Sequence, residues 1–305
     1  MEHRDVDAYR TSLSIVVLTF RRDDALLDTL ERISSALGTS GFQLVLVDNN
    51  ADGKNRRTMI DRFEDAVLVD ERYNMGVAAG RNKGISVATG DVLLFLDDDA
   101  LLEVPADFTT RLTDLFDHDP KLGVVAFRSF VGAQRIEDPI EFPHTDKSKD
   151  HDSRFDTFRF IGVAHAIRRS LLNQTGLYCA SFFYGMEEFD LSYRALKLGY
   201  RIEFRPEFRV QHMKANAGRL PSSAVIRRMY ANKLSVGWMH LPARLFLASG
   251  AAWFLKTLLD SKNPAVPFRA IGDFLAMVSH GQLQKRDPSS DLVAEIRRLG
   301  GKAWR

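Results

Sequence analysis

Three carboxylates stand in a row directly after an apolar run: Asp97-Asp98-Asp99 follows Val92-Leu93-Leu94-Phe95-Leu96. In an extended chain alternate residues point to the same side, so Asp97 and Asp99 converge. Converging carboxylates repel unless a cation sits between them, and an oxygen-only donor set favours Mg²⁺ or Mn²⁺, ions that ordinarily engage phosphates. Two other polar groups follow apolar runs in the same way, Thr19-Phe20-Arg21 after Leu13–Leu18 and Asp48-Asn49-Asn50 after Phe42–Val47. If these runs are parallel strands of one sheet, the three polar ends gather on one edge and together make a nucleotide site, with an acid for a base or ribose donor and backbone and Arg groups around it. The segment from Asn74 through Gly76 to Arg81 and Gly84 has small residues at regular spacing. Small side chains admit a close backbone or ligand, and Arg81 can pair with phosphate or with the acid cluster.

The elements that must position these residues alternate. Leu13–Leu18, Phe42–Val47, Ala66–Val69, Val92–Leu96 and Gly123–Phe127 read as strands, and Asp23–Leu37, Arg56–Phe63, Val77–Ala88 and Phe108–Asp117 as helices. Continuous apolar strands between helices predict an α/β fold with a mostly parallel sheet covered on both faces and ligands at the carboxyl ends of its strands. Residues 132–157 turn polar and are too long for an ordinary connection, so they are expected to be a mobile functional loop or disordered. His144 and His151 within them read as solvated rather than metal-bound. Strand character resumes over Phe158–Ile167, Glu188–Leu198 is helical, and Arg201–Phe204 and Phe208–His212 read as two short strands. After Pro221 the chain reads as helix broken at Pro242, Pro264, Pro267 and Pro288.

Composition bounds the function. The net charge of +2 hides an asymmetry: residues 214–305 hold 15 Lys and Arg against 5 Asp and Glu, and the residues before them 27 against 35. A basic tail points to an anionic partner, and without a nucleic-acid recognition motif that partner is expected to be a membrane surface. Met229-Tyr230, Leu234, Val236 to Met239 and Leu245 to Leu259, interleaved with cations, have the composition of helices lying in a lipid interface, with packing or a homo-oligomer contact as the alternative. Trp238 and Trp253 are expected to pack helices or sit at an interface rather than to bind sugar. The apolar stretch Leu245–Leu255 falls short of the ~20 residues of a spanning helix. Cys179 is the one cysteine, and Met1 to Asp5 mix charges without a secretory layout, so a cytoplasmic location is expected, at most peripheral on the inner face of the membrane.

Thr19-Phe20-x-Arg22, Val47-Asp48-Asn49-Asn50, Asn74-x-Gly76-x-Ala78-x-x-Arg81-Asn82-x-Gly84, Phe95 to Asp99 and then Glu187-Glu188-Phe189-Asp190-Leu191-x-x-Arg194 occur in an order that resembles a family 2 inverting glycosyltransferase of the GT-A fold. The resemblance covers about two-thirds of the chain, from Leu13 to His212. It implies that Asp48 contacts the base of a nucleoside-diphosphate sugar and that Asp97 and Asp99 bind the ribose, diphosphate and metal. Thr19, Phe20, Arg21, Asn50, Asn74, Gly76, Arg81 and Asp98 would surround the donor, and His212 would be a further metal ligand. A carboxylate of the later acidic motif would deprotonate the acceptor hydroxyl. Glu188 holds the position where the family usually carries Asp, with Glu187 and Asp190 as alternatives and helix-terminus stabilisation as the structural reading. Phe183 and Tyr184 are acceptor-side candidates, with core packing as the other reading of that aromatic run.

The chemistry fits these parts. A divalent ion neutralises the leaving diphosphate, and a carboxylate base activates a hydroxyl that is a poor nucleophile at neutral pH. The expected donor is UDP- or dTDP-linked, because rhamnosyltransferases of bacterial surface polysaccharides have a similar motif order and basic helical tails. The acceptor is expected to be a glycan, glycolipid or lipid-linked saccharide. The expected division is residues 1–213 for catalysis and residues 214–305 for the tail. A sugar-phosphate nucleotidyltransferase would instead open with a Gly-rich loop where this chain has Thr19-Phe20-Arg21-Arg22, and intact Asp97, Asp99 and Glu188 argue against a non-catalytic binding module.

Overall fold

The computed structural model describes residues 11–50, 52–215 and 222–303, so the Met1–Asp5 segment and Pro221 lie outside the described residues. Nine strands form one sheet: β1 (Leu13–Thr19), β2 (Gln43–Asp48), β3 (Asp65–Asp70), β4 (Val92–Asp97), β5 (Ala100–Glu103), β6 (Leu122–Val131), β7 (Phe155–Thr157), β8 (Ala164–Arg168) and β9 (Arg201–His212). Their order is β3-β2-β1-β4-β8-β6-β9-β5, with β7 beside β9. The β3-β2-β1-β4 half is parallel, as the apolar runs required; β8 enters antiparallel between β4 and β6, while β6 and β9 pair parallel. Alternation sends Ile15, Val17, Leu44, Leu46, Leu94 and Leu96 into one core and Val16, Val45, Val47, Leu93 and Phe95 into another on the opposite face.

The helices are α1 (Asp23–Leu37), α2 (Arg57–Ile60), α3 (Val77–Val87), α4 (Phe108–His118), α5 (Arg169–Thr175), α6 (Glu187–Lys197), α7 (Ser222–His240), α8 (Ala243–Ser261), α9 (Ala265–Ser279) and α10 (Ser290–Arg298). The small residues of α3 have a packing reason: a Cβ on Gly84 would lie 2.4 Å from Val16 Cγ1, so the helix approaches β1 more closely than any larger residue permits.

Several expectations are corrected. The helix expected over 56–63 is only the single turn α2, because Arg56 turns into an ion cluster instead of extending it. Residues 132–157 are packed: Phe142 and His144 are buried, β7 joins the sheet, and His144 Nε2 lies 2.7 Å from the Leu299 carbonyl. His151 stacks on Phe142 at 3.9 Å and pairs with Glu137. The two short strands expected across 201–212 are one strand, whose register against β6 slips between Phe127 and Arg128, accommodating Pro206 at the irregularity. The strand expected over 158–167 begins only at Ala164, as β8, and Pro267 sits in the first turn of α9, where its missing N–H costs nothing.

The tail is not a separate body. In α7, Tyr230, Leu234, Val236 and Met239 are buried, which overturns a lipid-facing reading of these residues; apolar residues run all round that half of the helix because it is interior. Leu292, Val293 and Ile296 of α10, with Leu299 and Ala303, belong to the same core cluster as Phe95 and Phe204. Residues 214–305 therefore complete the core that the expected boundary assigned to residues 1–213. None of the helices among the described residues is long and apolar enough to cross a membrane.

Candidate active site

The polar strand ends do gather on one edge. Thr19 and Asp48 end β1 and β2 in register, and Asp97 ends β4 opposite Leu18. The chain then turns through Asp98 and Asp99 into β5, whose ladder pairs Ala100 with His212 at the end of β9. That pairing, closed by Met213 N donating to the Asp99 carbonyl at 2.9 Å, carries His212 to the acids across more than a hundred residues of sequence. One ligand atom from each of Asp97, Asp99 and His212 lies within 4.8 Å of the others. Asp99 Oδ1 is buried with no hydrogen-bond partner among the described residues, and His212 Nε2 stands 3.4 Å from it. A donor set of two carboxylates and an imidazole, with an orphaned carboxylate oxygen inside it, fits a divalent cation.

The acids are held unequally. Burial works against the charge on Asp99, but His212 and Arg22 outweigh it and keep its pKa low. Burial also opposes protonation of His212, yet Asp99 and Glu141 raise it to about 9. The middle acid has another use: Asp98 accepts from Thr19 Oγ1 at 2.8 Å, the Phe20 amide at 3.2 Å and Arg22 at 2.9 Å, tying the end of β1 to the acid turn, and burial pushes it to about 6. Arg22, not Arg21, thus reaches the acids; Arg21, with φ +57°, lies over Phe20 and donates to Asn50 at 3.3 Å. Thr19, Phe20, Arg22, Asn49, Asn74, Gly76, Asp97, Asp98, Asp99, Phe183, Tyr184 and His212 line one cleft of about 540 Å³, closed on another side by Ser222, Val225 and Ile226 of α7.

The Asn74–Gly76 turn is fixed from β2. Asn49 donates to Asn74 Oδ1 and to the Gly76 carbonyl, both at 3.1 Å, and accepts from Met75 N at 2.9 Å. Gly76 has φ +83°, and a Cβ there would stand 2.4 Å from the Phe183 carbonyl, so no other residue fits. Asp48 is almost fully buried and pairs with Arg56, leaving its Oδ1 without a partner among the described residues. Arg56 gathers Asp23, Asp48 and Asp52.

Behind the cleft, Arg81 is the hub. Its Nη2 donates to Asp97 at 3.2 Å and to the Gly162 carbonyl at 2.9 Å, while Nη1 lies 3.2 Å from Glu187 and 3.7 Å from Glu188. Of the two readings of Arg81, pairing with acids is the one the structure adopts. Glu187 and Glu188 open α6 one side chain removed from the cleft wall, joined to it through Arg81 and Asp97. Burial, together with Glu188, pushes Glu187 up to about 8; burial likewise raises Glu188, opposed by Arg81. The side chain of Glu188 is 16% exposed against 3% for Glu187. Asp190 does not stand on the acceptor side as expected: it points into the α6–α7 contact, fully buried between Arg194 at 2.6 Å and His240 at 2.7 Å, away from the cleft. Phe182 is core, whereas Phe183 and Tyr184 face the cleft.

Four contributors had no role in the sequence reading. Arg22 and Asn49 stood in its motifs beside residues that were given one, and that place in the motif was the available signal. Glu141 and Lys214 gave none: Glu141, from the 132–157 segment, accepts from His212 Nδ1 at 2.8 Å and lies 3.1 Å from Lys214.

Residues 14–176 match the family described as glycosyl transferase family 2, and the chain belongs to it. An uncharacterised Haemophilus influenzae protein is 30% identical over 172 residues, covering 55% of this chain and 92% of its own length. The poly-beta-1,6-N-acetyl-D-glucosamine synthase of Staphylococcus aureus is 24% identical over 205 residues, and the chain spans about half (48%) of that enzyme. Among solved structures, GalNAc-T7 with UDP, GalNAc and Mn²⁺ superposes with a TM-score of 0.61 at 18% identity, over 81% of this chain and 52% of that one. The mannosyltransferase PcManGT from Pyrobaculum calidifontis, with GDP-Man and Mn²⁺, gives 0.57 at 18% identity over 96% and 80%. The fold is thus the GT-A arrangement that the motif order implied.

Proposed function

We propose that the protein is a metal-dependent inverting glycosyltransferase that moves a sugar from a nucleoside-diphosphate donor to a hydroxyl of a glycan, glycolipid or lipid-linked saccharide. The observation that carries this is the convergence of Asp97, Asp99 and His212 at the strand-end cleft, with an acidic pair behind Arg81. Asp97, Asp99 and His212 would hold Mg²⁺ or Mn²⁺, which when bound acts as a Lewis acid toward the leaving diphosphate. Asp48, with its free buried oxygen at the end of β2, accepts from the base, and the Asn74–Gly76 turn and Thr19 frame the donor.

Glu188 is the base. It takes the acceptor hydroxyl proton as the oxygen forms its bond to the anomeric carbon and the bond to the diphosphate breaks on the opposite face, which inverts that centre. Its raised pKa makes the carboxylate a stronger base than a solvated one, and its greater exposure distinguishes it from Glu187, which Arg81 holds. Phe183 and Tyr184 supply an aromatic face for the acceptor sugar. A part in surface polysaccharide or glycolipid synthesis is favoured by the likeness to the S. aureus synthase and, over 35% of this chain, to a Haloferax volcanii glucosyl-dolichyl phosphate glucuronosyltransferase. Buried Cys179 requires no oxidising compartment, in keeping with a cytoplasmic site of action.

The decisive experiment is a panel of UDP-, dTDP- and GDP-sugars assayed for release of the nucleoside diphosphate with Mg²⁺, with Mn²⁺ and with chelator. Metal-dependent release from one donor class is expected; no release from any donor under any condition sinks the enzymatic reading.

A further inference from the structure

Helix α8 is apolar on two sides: Phe246, Trp253 and Phe254 pack inward on the core, and a second apolar side faces out. Its fully buried residues are Ser249 and Thr257, while Leu247, Leu255 and Leu259 are more than half exposed and Ala248, Ala251 and Ala252 are exposed beside them. At 100° per residue, 247, 248, 251, 255 and 259 fall on one side of the helix, opposite the side that rests on α7. Helix α9 continues this outer layer: Phe268 and Leu275 are more than half exposed, whereas Ala270, Phe274 and Met277 pack inward on Tyr230 and Leu234.

The charges around this face have one sign. Arg244 and Lys262 lie on the same side as the leucines, one at each end of the stripe, and Arg269 stands beside Phe268. All three are exposed and none has an acid partner among the described residues. The two acids of these helices are already used, Asp260 by Lys256 and Asp273 by Arg227. An apolar stripe closed at both ends by uncompensated cations matches a lipid surface with anionic headgroups. A second copy fits it poorly: in a two-fold pair of α8 stripes, the Arg244 end of one copy meets the Lys262 end of the other, cation against cation.

We infer that α8 and α9 seat the protein on an anionic membrane, their leucines and Phe268 entering the acyl boundary and Arg244, Lys262 and Arg269 meeting headgroup phosphates. This narrows the basic tail to two of the four helices among its described residues. It also deepens the proposed function, on which only the choice of acceptor rests. A cleft of about 460 Å³ between α7 and α9 is lined by Arg227, Arg228 and Arg269 and shares Phe183 with the donor cleft, so a lipid-borne acceptor held at the membrane lies beside the chemistry.

The test uses the full chain with phosphatidylcholine vesicles containing or lacking phosphatidylglycerol, read by flotation. Wild type is expected to float with the anionic vesicles and to detach as salt is raised. Leu255→Gln with Leu259→Gln should lower the partition coefficient by about tenfold per substitution, at unchanged melting temperature because both side chains are exposed. Arg244→Gln with Lys262→Gln should lower the preference for anionic vesicles by about fivefold per substitution, Arg269 keeping the remainder. Wild type that never floats, or leucine variants that float as well as wild type, would overturn the inference, as would a dimer in light scattering that the leucine substitutions dissolve. Flotation is read without turnover, and transfer to a water-soluble acceptor should survive all four substitutions, so failure here and failure of the transferase reading are separate results.

Discussion

Gly162 offers a perturbation of the proposed base, Glu188, that replaces no catalytic side chain. A Cβ built there would lie 2.1 Å from Glu188 Oε1 and 3.0 Å from Arg81 Nη2, and its backbone is in a region any residue adopts. Because the clashing atom is the tip of a flexible side chain, Gly162→Ala should fold at a stability cost of no more than about 1 kcal/mol. The Glu188 carboxylate must retreat by about 1 Å, and a misplacement of that size costs about 100-fold in rate, or about 2.7 kcal/mol of transition-state stabilisation. Single-turnover transfer from the cognate donor, alongside donor titration at fixed metal, would show kcat down by about that factor with donor affinity held. On a Glu188→Gln background the same glycine substitution should cost nothing further, since it acts only through the lost base. A Gly162→Ala turnover within about threefold of wild type, or a parallel loss of donor affinity, would refute the placement of the base at Glu188.

Glu188→Gln should keep donor affinity and lose turnover by about 100-fold or more, whereas Glu187→Gln should act mainly through Arg81; the reverse ranking in the same assay moves the base to Glu187. Asp99→Asn should weaken Mn²⁺ binding measured by titration with UDP present, and Glu141→Gln should weaken it by about tenfold through the orientation of His212; full turnover in excess chelator removes the basis of both. His165 is fully buried against Tyr178, and burial, aided by Arg81, holds its pKa well below the usual histidine value. The unfolded chain therefore binds the proton that the folded one refuses, and stability should fall as pH drops below about 6.5, by up to about 1.4 kcal/mol per unit. Denaturant midpoints at pH 7.5 and 5.5 check this, and a His165→Gln variant with an undiminished slope contradicts it.

The parts of the fold legible in the sequence are those whose signal is local. β1, β2 and β4 are unbroken apolar runs ending in polar residues, and α1 repeats its apolar positions with helical spacing, so boundaries and edge chemistry both emerged. The parts that stayed hidden depend on partners far along the chain. β5 is four residues whose strand character exists only through β9, and the polar look of residues 132–157 concealed Glu141, whose neighbours His212 and Lys214 lie more than seventy residues away. Apolar content alone could not separate α7, buried on every side from Tyr230 to Gly237, from α8, which turns Leu247, Leu255 and Leu259 outward; that difference is made by what each packs against.

The position of α10 bears on how the chain is made. Leu292, Ile296 and Leu299 sit in the cluster that holds Phe158, Leu191 and Phe204, and a Cβ on Gly301 would lie 2.6 Å from the Phe158 ring. A chain emerging from the ribosome has the whole motif set by residue 212, yet one wall of its core stays open to water until residue 303 has cleared the exit tunnel. Closure of the core thus waits on synthesis of α10, and a nascent chain that stops short of it carries an exposed aromatic surface that chaperones and proteases recognise.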